Sequence, residues 1–400
     1  MIDLLVAGCG PAGAATAVRA ALAGLSVVVV EPRSAPIDKA CGEGVAHSAV
    51  SYLERLGVEL TGRPFYGIRY LDADHQVDAR FRAGPGLGVR RTTLHQALVD
   101  RLESLGVPIV NNRIGAITQN TTSVTAAGHT ARYLAAADGL HSTIRRQLGL
   151  TIAPHEARAG IRGQLDPAVP PGAARAGTCG QPGPAVPPGA PRAGIRGQLG
   201  LTALSRAARA GASPGAAPAV RRGLRRHFSV SPWTDLVEVY WSRLGEAYVT
   251  PVADDLVGVA ILTSERGTFD SHLDAFPALK RRLSGANPAN AVMGAGPLRQ
   301  RVRARVAGRV LLVGDAAGYV DALTGEGIAV ALRTSAELVE CIVDNRPEDY
   351  EAAWRRVSWE CRLLTGSLLW ARNRSLLAPR IVPAATLLPG VYSHIVNRLA

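Results

Sequence analysis

Val6-Ala7-Gly8-Cys9-Gly10-Pro11-Ala12-Gly13-Ala14 is the stretch that decides the fold. Ahead of it, residues 3–7 are a short apolar run, the pattern of a buried parallel strand. Behind it, residues 11–25 alternate small and apolar side chains at helical spacing, with Arg19 the only charge. Residues 26–30 read as a second buried strand, ending at Glu31. Together they predict a β-α-β unit. In such a unit Gly8 permits the tight turn, Gly10 lets a pyrophosphate approach the backbone, and Gly13 lets helix and strand pack closely. Pro11 and Ala12 open the helix, whose unpaired N–H groups and positive dipole end favour phosphate. Glu31 lies 18 residues past Gly13, where a carboxylate accepts ribose hydroxyls. An acid there favours an unphosphorylated ribose, hence FAD or NAD over NADP.

Residues 34–65 read as loop-rich with a helix over about 46–56, and residues 66–82 alternate like antiparallel strands. A helix is predicted over 91–105, and strands over 107–110, 122–126 and 133–137 return to the first unit. Further strands are expected over 236–241, 247–252, 256–262 and 309–313, with helices over 269–283, 325–343 and from 354 onward. Gly294-Ala295-Gly296-Pro297-Leu298-Arg299 lacks a third glycine and follows no apolar strand, so no second dinucleotide fold is read there.

With 400 residues the chain suits one large or two ordinary domains, and 47% apolar residues exclude wholesale disorder. Five Cys without a Cys-x-x-Cys pair argue against a disulfide scaffold or a thiolate zinc site, and the nine His show no metal spacing. A net charge of +13 raises nucleic acid or an anionic membrane as partners. Only Lys39 and Lys280 are lysines, however, and such an arginine skew fits a coding bias as readily as a binding surface. Residues 151–226 hold eleven Arg against Glu156 and Asp166, so nine of the thirteen net charges lie there. That stretch repeats Arg-Ala-Gly-Ile-Arg-Gly-Gln-Leu at 158 and 192 and has no aromatic residue, the pattern of a duplicated, disordered surface insertion. No targeting segment or apolar run of spanning length is read, so a cytoplasmic location is expected. The apolar stretch 376–391 is broken by Pro379, Pro383 and Pro389 and reads as packed on the body, with at most peripheral membrane contact.

Two later motifs narrow the cofactor. Ala137-Asp138-Gly139-Leu140-His141-Ser142-Thr143-Ile144-Arg145 follows one predicted strand, and Val313-Gly314-Asp315-Ala316-Ala317-Gly318 follows another, leading to Thr324-Gly325-Glu326-Gly327-Ile328. With the glycine turn, these motifs in this order resemble the flavoprotein monooxygenases with a single FAD fold and the related geranylgeranyl reductases. The resemblance implies that Gly8, Gly10, Pro11, Ala12 and Gly13 cradle the FAD pyrophosphate and that Glu31-Pro32-Arg33 and Arg91 lie near its ribose and phosphates. It assigns Asp138 and Gly139 to FAD and transient NADH or NADPH binding, and Gly314 and Asp315 to the ribityl chain. The helix opened by Gly325, Gly327 and Ile328 would face the flavin, where a helix N-terminus stabilises the negative charge of the reduced ring. Lys39-Ala40-Cys41-Gly42-Glu43-Gly44 resembles the Cys-Gly loop of the reductase branch, which adds Cys41 and Gly42. The Trp-x-Trp-x-Ile-Pro run usual in halogenases is absent. Asp321, His47 and Glu43 are candidate acid–base groups that read more simply as structural or solvated.

The expected fold is therefore α/β: a Rossmann-like, three-layer FAD-binding domain with an inserted antiparallel β-sheet substrate domain and C-terminal helices. Residues 1–64, 91–150 and 295–345 would form the first, 65–90 and 224–294 the second, 151–223 the insertion and 346–400 the helices. The leading functional expectation is an FAD-dependent monooxygenase that uses NADH or NADPH and O2 to hydroxylate an aromatic or polyketide-like molecule, with no dedicated catalytic residue. The alternative is an FAD-dependent reductase of prenyl or lipid double bonds. A basic nucleic-acid-binding protein is the contrasting class, and it predicts steeply salt-dependent DNA binding without a chromophore.

Overall fold

The computed structural model describes residues 1–152 and 220–399. In chain order its main elements are β1 (Ile2–Ala7), α1 (Pro11–Leu22), β2 (Val27–Val30), β3 (Gly67–Leu71), β4 (Gln76–Arg80), α2 (Arg91–Ser104) and β5 (His129–Ala136). After the undescribed stretch come β6 (Arg222–Ser229), β7 (Val237–Trp241), β8 (Gly245–Ala253), β9 (Leu256–Thr263) and β10 (Val310–Leu312). Helices α3 (Gly327–Val343), α4 (Tyr350–Arg372), α5 (Ile381–Leu387) and α6 (Pro389–Leu399) follow.

One sheet runs β10-β5-β1-β2 with all four strands parallel, continued past β2 by Ile109–Val110. Its strands are almost wholly apolar because α1, α2 and α3 contribute to the same buried core. The strand order brings the C-terminal ends of β1, β5 and β10 side by side. The chain leaves them at Gly8, Ala137 and Val313, so motifs more than 300 residues apart in sequence meet at one edge.

The second sheet runs β6-β9-β8-β7-β3-β4, antiparallel except where β7 pairs parallel with β3. One face packs on two short helices, Phe269–Leu273 and Pro277–Arg282. The sequence predicts one helix over 269–283. Pro277 has no N–H to continue the first helix and instead starts the second. The other side carries α4, α5 and α6: Tyr70 stacks between Trp241 at 5.2 Å and Tyr392 at 4.8 Å, centroid to centroid. Tyr392 Oη donates to the Ile68 carbonyl at 3.1 Å, and Asn397 Nδ2 donates to the Arg80 carbonyl at 2.9 Å. Residues 86–88 do not join this sheet; they sit between 44–45 and 63–65 in a small third sheet.

The expected insertion lies outside the described residues except at its margins. Thr151 forms a bridge with Val302, and strand β6 already begins at Arg222. Four of the eleven arginines in 151–226 thus belong to described residues, and Arg221 and Arg225 are buried. Residues 293–295 form a strand against β6, with no helix after them, so the glycine pair there is not a nucleotide turn.

Candidate functional site

The glycine turn is built as its spacing predicts. Gly8 has φ +97°, and a Cβ on Gly13 would stand 1.9 Å from the Gly8 carbonyl oxygen, so neither position accepts a side chain. Gly10 differs: the nearest atom to a Cβ there is Arg91 Nη2 at 3.8 Å. Its surroundings are open on the side where a diphosphate would approach.

Beside this turn lies a cavity of about 770 Å³. Gly10, Pro11, Ala12, Arg33 and Arg91 line it from the first motif and its surroundings; Cys41 and Gly42 line it from the following loop. Asp138 and Gly139 enter from the end of β5, Gly314 and Asp315 from the end of β10, and Gly325, Gly327 and Ile328 from the start of α3. Gly8, Gly13, Glu31 and Pro32 do not line it. Glu31 is buried, with its oxygens accepting from Cys9 N at 2.9 Å and Arg33 Nε at 2.8 Å. Burial pushes its carboxyl up, but Arg33 and the Cys9 N–H outweigh that and hold it below the usual range. Helix α3 starts at Gly327, two residues later than expected, because Gly325 has φ +73° and cannot belong to a right-handed turn.

Four buried polar atoms on lining residues have no protein partner, and two of them, Arg91 Nε and Asp138 Oδ1, belong to the expected cofactor residues. The other Asp138 oxygen caps the helix Thr143–Gln147, accepting from Thr143 N at 2.8 Å. A guanidinium with a spare donor beside Gly10, a bare glycine turn and an acid with a spare acceptor fit a dinucleotide.

Several residues of the site were not legible as such. Arg145, quoted only as the end of a motif, is buried and joins two motif loops: Nη1 donates to Ala316 O at 3.0 Å and Nη2 to Leu140 O at 2.9 Å. Lys39 Nζ lies 3.4 Å from Asp315 Oδ2. Glu43 is buried at φ +60°, an unusual conformation for a residue with a side chain. Its Oε1 accepts from Arg91 N at 2.9 Å and its Oε2 pairs with His227 Nε2. On the far side of that ring, Arg225 Nη1 at 3.0 Å and Asn290 Nδ2 at 2.6 Å both donate to His227 Nδ1. Asn290 is oriented by its own oxygen, which accepts from His227 N at 3.0 Å. Nδ1 is therefore the acceptor, and Nε2 carries the proton that goes to Glu43. The network fixes the Cys41–Gly44 loop to the second sheet. Of the candidate acid–base groups, Glu43 is thus structural, Asp321 is buried against Arg221, and His47 contacts Pro85 O at 3.2 Å.

Glu326, at the start of α3, lines the cavity and is buried with Oε1 unpartnered. Burial pushes its carboxyl up to about 7, against the opposing pull of Cys361 and Arg333. Burial likewise pushes the Cys9 thiol up to about 12, so Cys9 is a neutral spacer in the turn.

Residues 1–168 match the FAD binding domain family. That match covers less than half of the chain. Among relatives of this chain, a menaquinone reductase of Mycolicibacterium smegmatis is 33% identical over 165 residues, which is 37% of this chain and 40% of that protein. A digeranylgeranylglycerophospholipid reductase 2 of Methanosphaera stadtmanae is 33% identical over 93 residues, 22% of this chain and 24% of that one. The match thus spans well under half of either relative's length. In structure the chain is similar to the flavin-dependent brominase Bmp2, with a TM-score of 0.72, 14% identity and 100% of this chain and 93% of that one covered. A flavoprotein/dehydrogenase from Cytophaga hutchinsonii gives a TM-score of 0.67 at 14% identity, with 100% of this chain and 95% of that one covered. At such identities the likeness is one of fold.

Proposed function

We infer that this flavoprotein is an FAD-dependent reductase of carbon–carbon double bonds in a long apolar molecule of the prenyl class, with NADH or NADPH as transient reductant. The observation that carries the reading is the character of the cavity wall opposite the glycine turn. Phe65, Ile68, Val237, Val239 and Leu388 supply apolar surface. Two hydroxyls within that wall are already taken up by backbone: Tyr248 Oη donates to Leu323 O at 2.7 Å, and Thr250 Oγ1 donates to Gly42 O at 2.7 Å. An apolar chain meets few competing donors there, whereas a polyhydroxylated aromatic would leave its own hydroxyls unpaired. The two reductases similar to part of the chain support the same choice.

In this reading the first sheet holds the cofactor and the second walls the substrate. Gly8, Gly10 and Gly13 shape the turn, and the N-terminus of α1 with Arg33 and Arg91 meets the diphosphate. Glu31 lies behind that turn, holding Cys9 N and Arg33. Asp138, Gly139, Gly314 and Asp315 line the middle, and Cys41, Gly42 and the Gly325–Ile328 segment lie where the ring system would sit. When bound, FAD supplies two-electron hydride transfer. The protein's part is to orient the alkene, exclude water and place the positive end of α3 toward developing negative charge.

The test is anaerobic turnover with NADH or NADPH and a polyprenyl substrate, read by mass spectrometry. Gain of two hydrogens per saturated bond is expected. Hydroxylation, the other use of the same cofactor, would instead consume O2 in step with oxygen insertion; that outcome would replace the reductase reading.

A further inference from the structure

Large apolar side chains are unevenly exposed on this molecule. Among the described residues, seven of the thirteen exposed ones lie between 359 and 395, a stretch under a tenth of the chain. Leu387 is 81% exposed and Leu376 is 75% exposed. On α6 the two faces are distinct. Tyr392 and Val396 are buried against β4, whereas Val391 and Ile395, with Leu388 just before the helix, point outward at helical spacing. Leu388, Val391 and Ile395 also line the cavity. Side chains that are both exposed and cavity-lining form a mouth, so the cavity opens through this apolar surface.

Charge adds a second observation. Residues 361–400 contain five arginines and no Asp or Glu. Arg372 pairs with Glu246 and Arg398 with Glu360, while Arg380 is exposed between Leu376 and Leu387. No described helix is long and apolar enough to cross a membrane, so these residues suit a surface contact rather than a span. A partner that offers both an apolar interior and negative charge is an anionic bilayer.

We propose that the segment from Leu376 through α6 docks on an anionic lipid bilayer and sets the cavity mouth against it. An apolar molecule then passes between bilayer and cavity without crossing water. That route rests on the reductase reading; the docking surface does not.

The test is flotation of the full chain, FAD-loaded, with vesicles of phosphatidylcholine alone or containing about a third phosphatidylglycerol. Binding is expected to the anionic vesicles and to weaken with salt. Leu376→Glu combined with Leu387→Glu changes two exposed residues outside the cavity lining, so flavin content and thermal unfolding should stay as in the parent. The double variant should lose binding by about tenfold or more. No binding to anionic vesicles, or binding untouched by the double variant, overturns the proposal. So does a concentration-dependent dimer that the same variant dissolves, because the patch would then serve a second copy. Vesicle binding without alkene saturation would retain the docking surface and remove the reductase reading; saturation without binding would do the reverse.

Discussion

At the scale of single residues, Gly13 and Glu326 make opposite cases. Gly13 has no room: a methyl group there would meet the Gly8 carbonyl at 1.9 Å and the Ala137 side chain at 3.0 Å. Both neighbours belong to the sheet edge, and a backbone oxygen cannot rotate away. Gly13→Ala should therefore destabilise the fold by about 3 kcal/mol or more and give colourless protein, checked by urea unfolding and by the released flavin. Glu326 has room but no partner for Oε1. Its folded carboxyl titrates near 7 against an ordinary value of 4.5. Below 4.5 both the folded and the unfolded chain keep this proton. As pH rises from there to about 7, the unfolded chain releases it first, so stability falls, by about 3 kcal/mol at most. Glu326→Gln should abolish that decline, and urea midpoints of the two proteins should diverge over this window.

At the scale of elements, buried ion pairs hold the sheet that carries the cavity wall. Arg221 donates to Asp321 at 2.9 Å and to Glu246 at 2.7 Å, and Arg372 of α4 reaches the same Glu246. Burial works against the Arg221 charge, but Glu246 and Asp321 outweigh it and raise its pKa. Arg221→Met would strand Asp321 and leave Glu246 with Arg372 alone, with a loss of about 3–5 kcal/mol measurable by thermal or urea unfolding. A double replacement that also makes Asp321→Asn should recover part of it. The His227 network works on a loop instead. Removing the ring in His227→Ala leaves Glu43 buried with one partner fewer at its strained φ. The expected result is weaker FAD retention on dilution, with far-ultraviolet circular dichroism unchanged. Neither arrangement is visible in sequence. In sequence Arg221, Arg222, Arg225 and Arg226 count only toward the basic balance of 151–226, and strand alternation, seen once β6 is paired on both edges, turns Arg225 and His227 inward.

At the scale of the whole molecule, all eighteen residues expected at the cofactor lie within 1–152 or 220–399. Replacing 153–219 with a short Gly/Ser linker should therefore leave the FAD content and the absorbance spectrum unchanged, as measured on purified protein. The local units that build the fold were readable because each has a short-range cause. An apolar run makes a strand, a glycine triplet makes a turn, and small residues at helical spacing let α1 lie close to the sheet. Fourteen of the eighteen residues expected at the cofactor line one cavity; Gly8 and Gly13 shape the turn beside it, Glu31 holds Arg33, and Pro32 does not line it. Where the reading slipped, a backbone detail decided: Pro277 divided a helix, Gly325 delayed one, and residues 86–88 paired away from the sheet expected nearby.

Sequence alone determined the β-α-β start, the glycine turn and the order of the three motifs, because these follow from spacing within a few tens of residues. Tertiary structure decided what the motifs face. The strand order β10-β5-β1-β2 brought distant loops to one edge, and pairing of β3 with β7 joined residues 67–71 to a wall built some 170 positions later. The outward turn of Leu388, Val391 and Ile395 was decided in the same way. Which face of α6 is buried depends on Tyr392 and Val396 meeting β4, a contact between segments more than 300 residues apart. Local spacing sets the period of such a helix, and only the surface it packs on sets its direction.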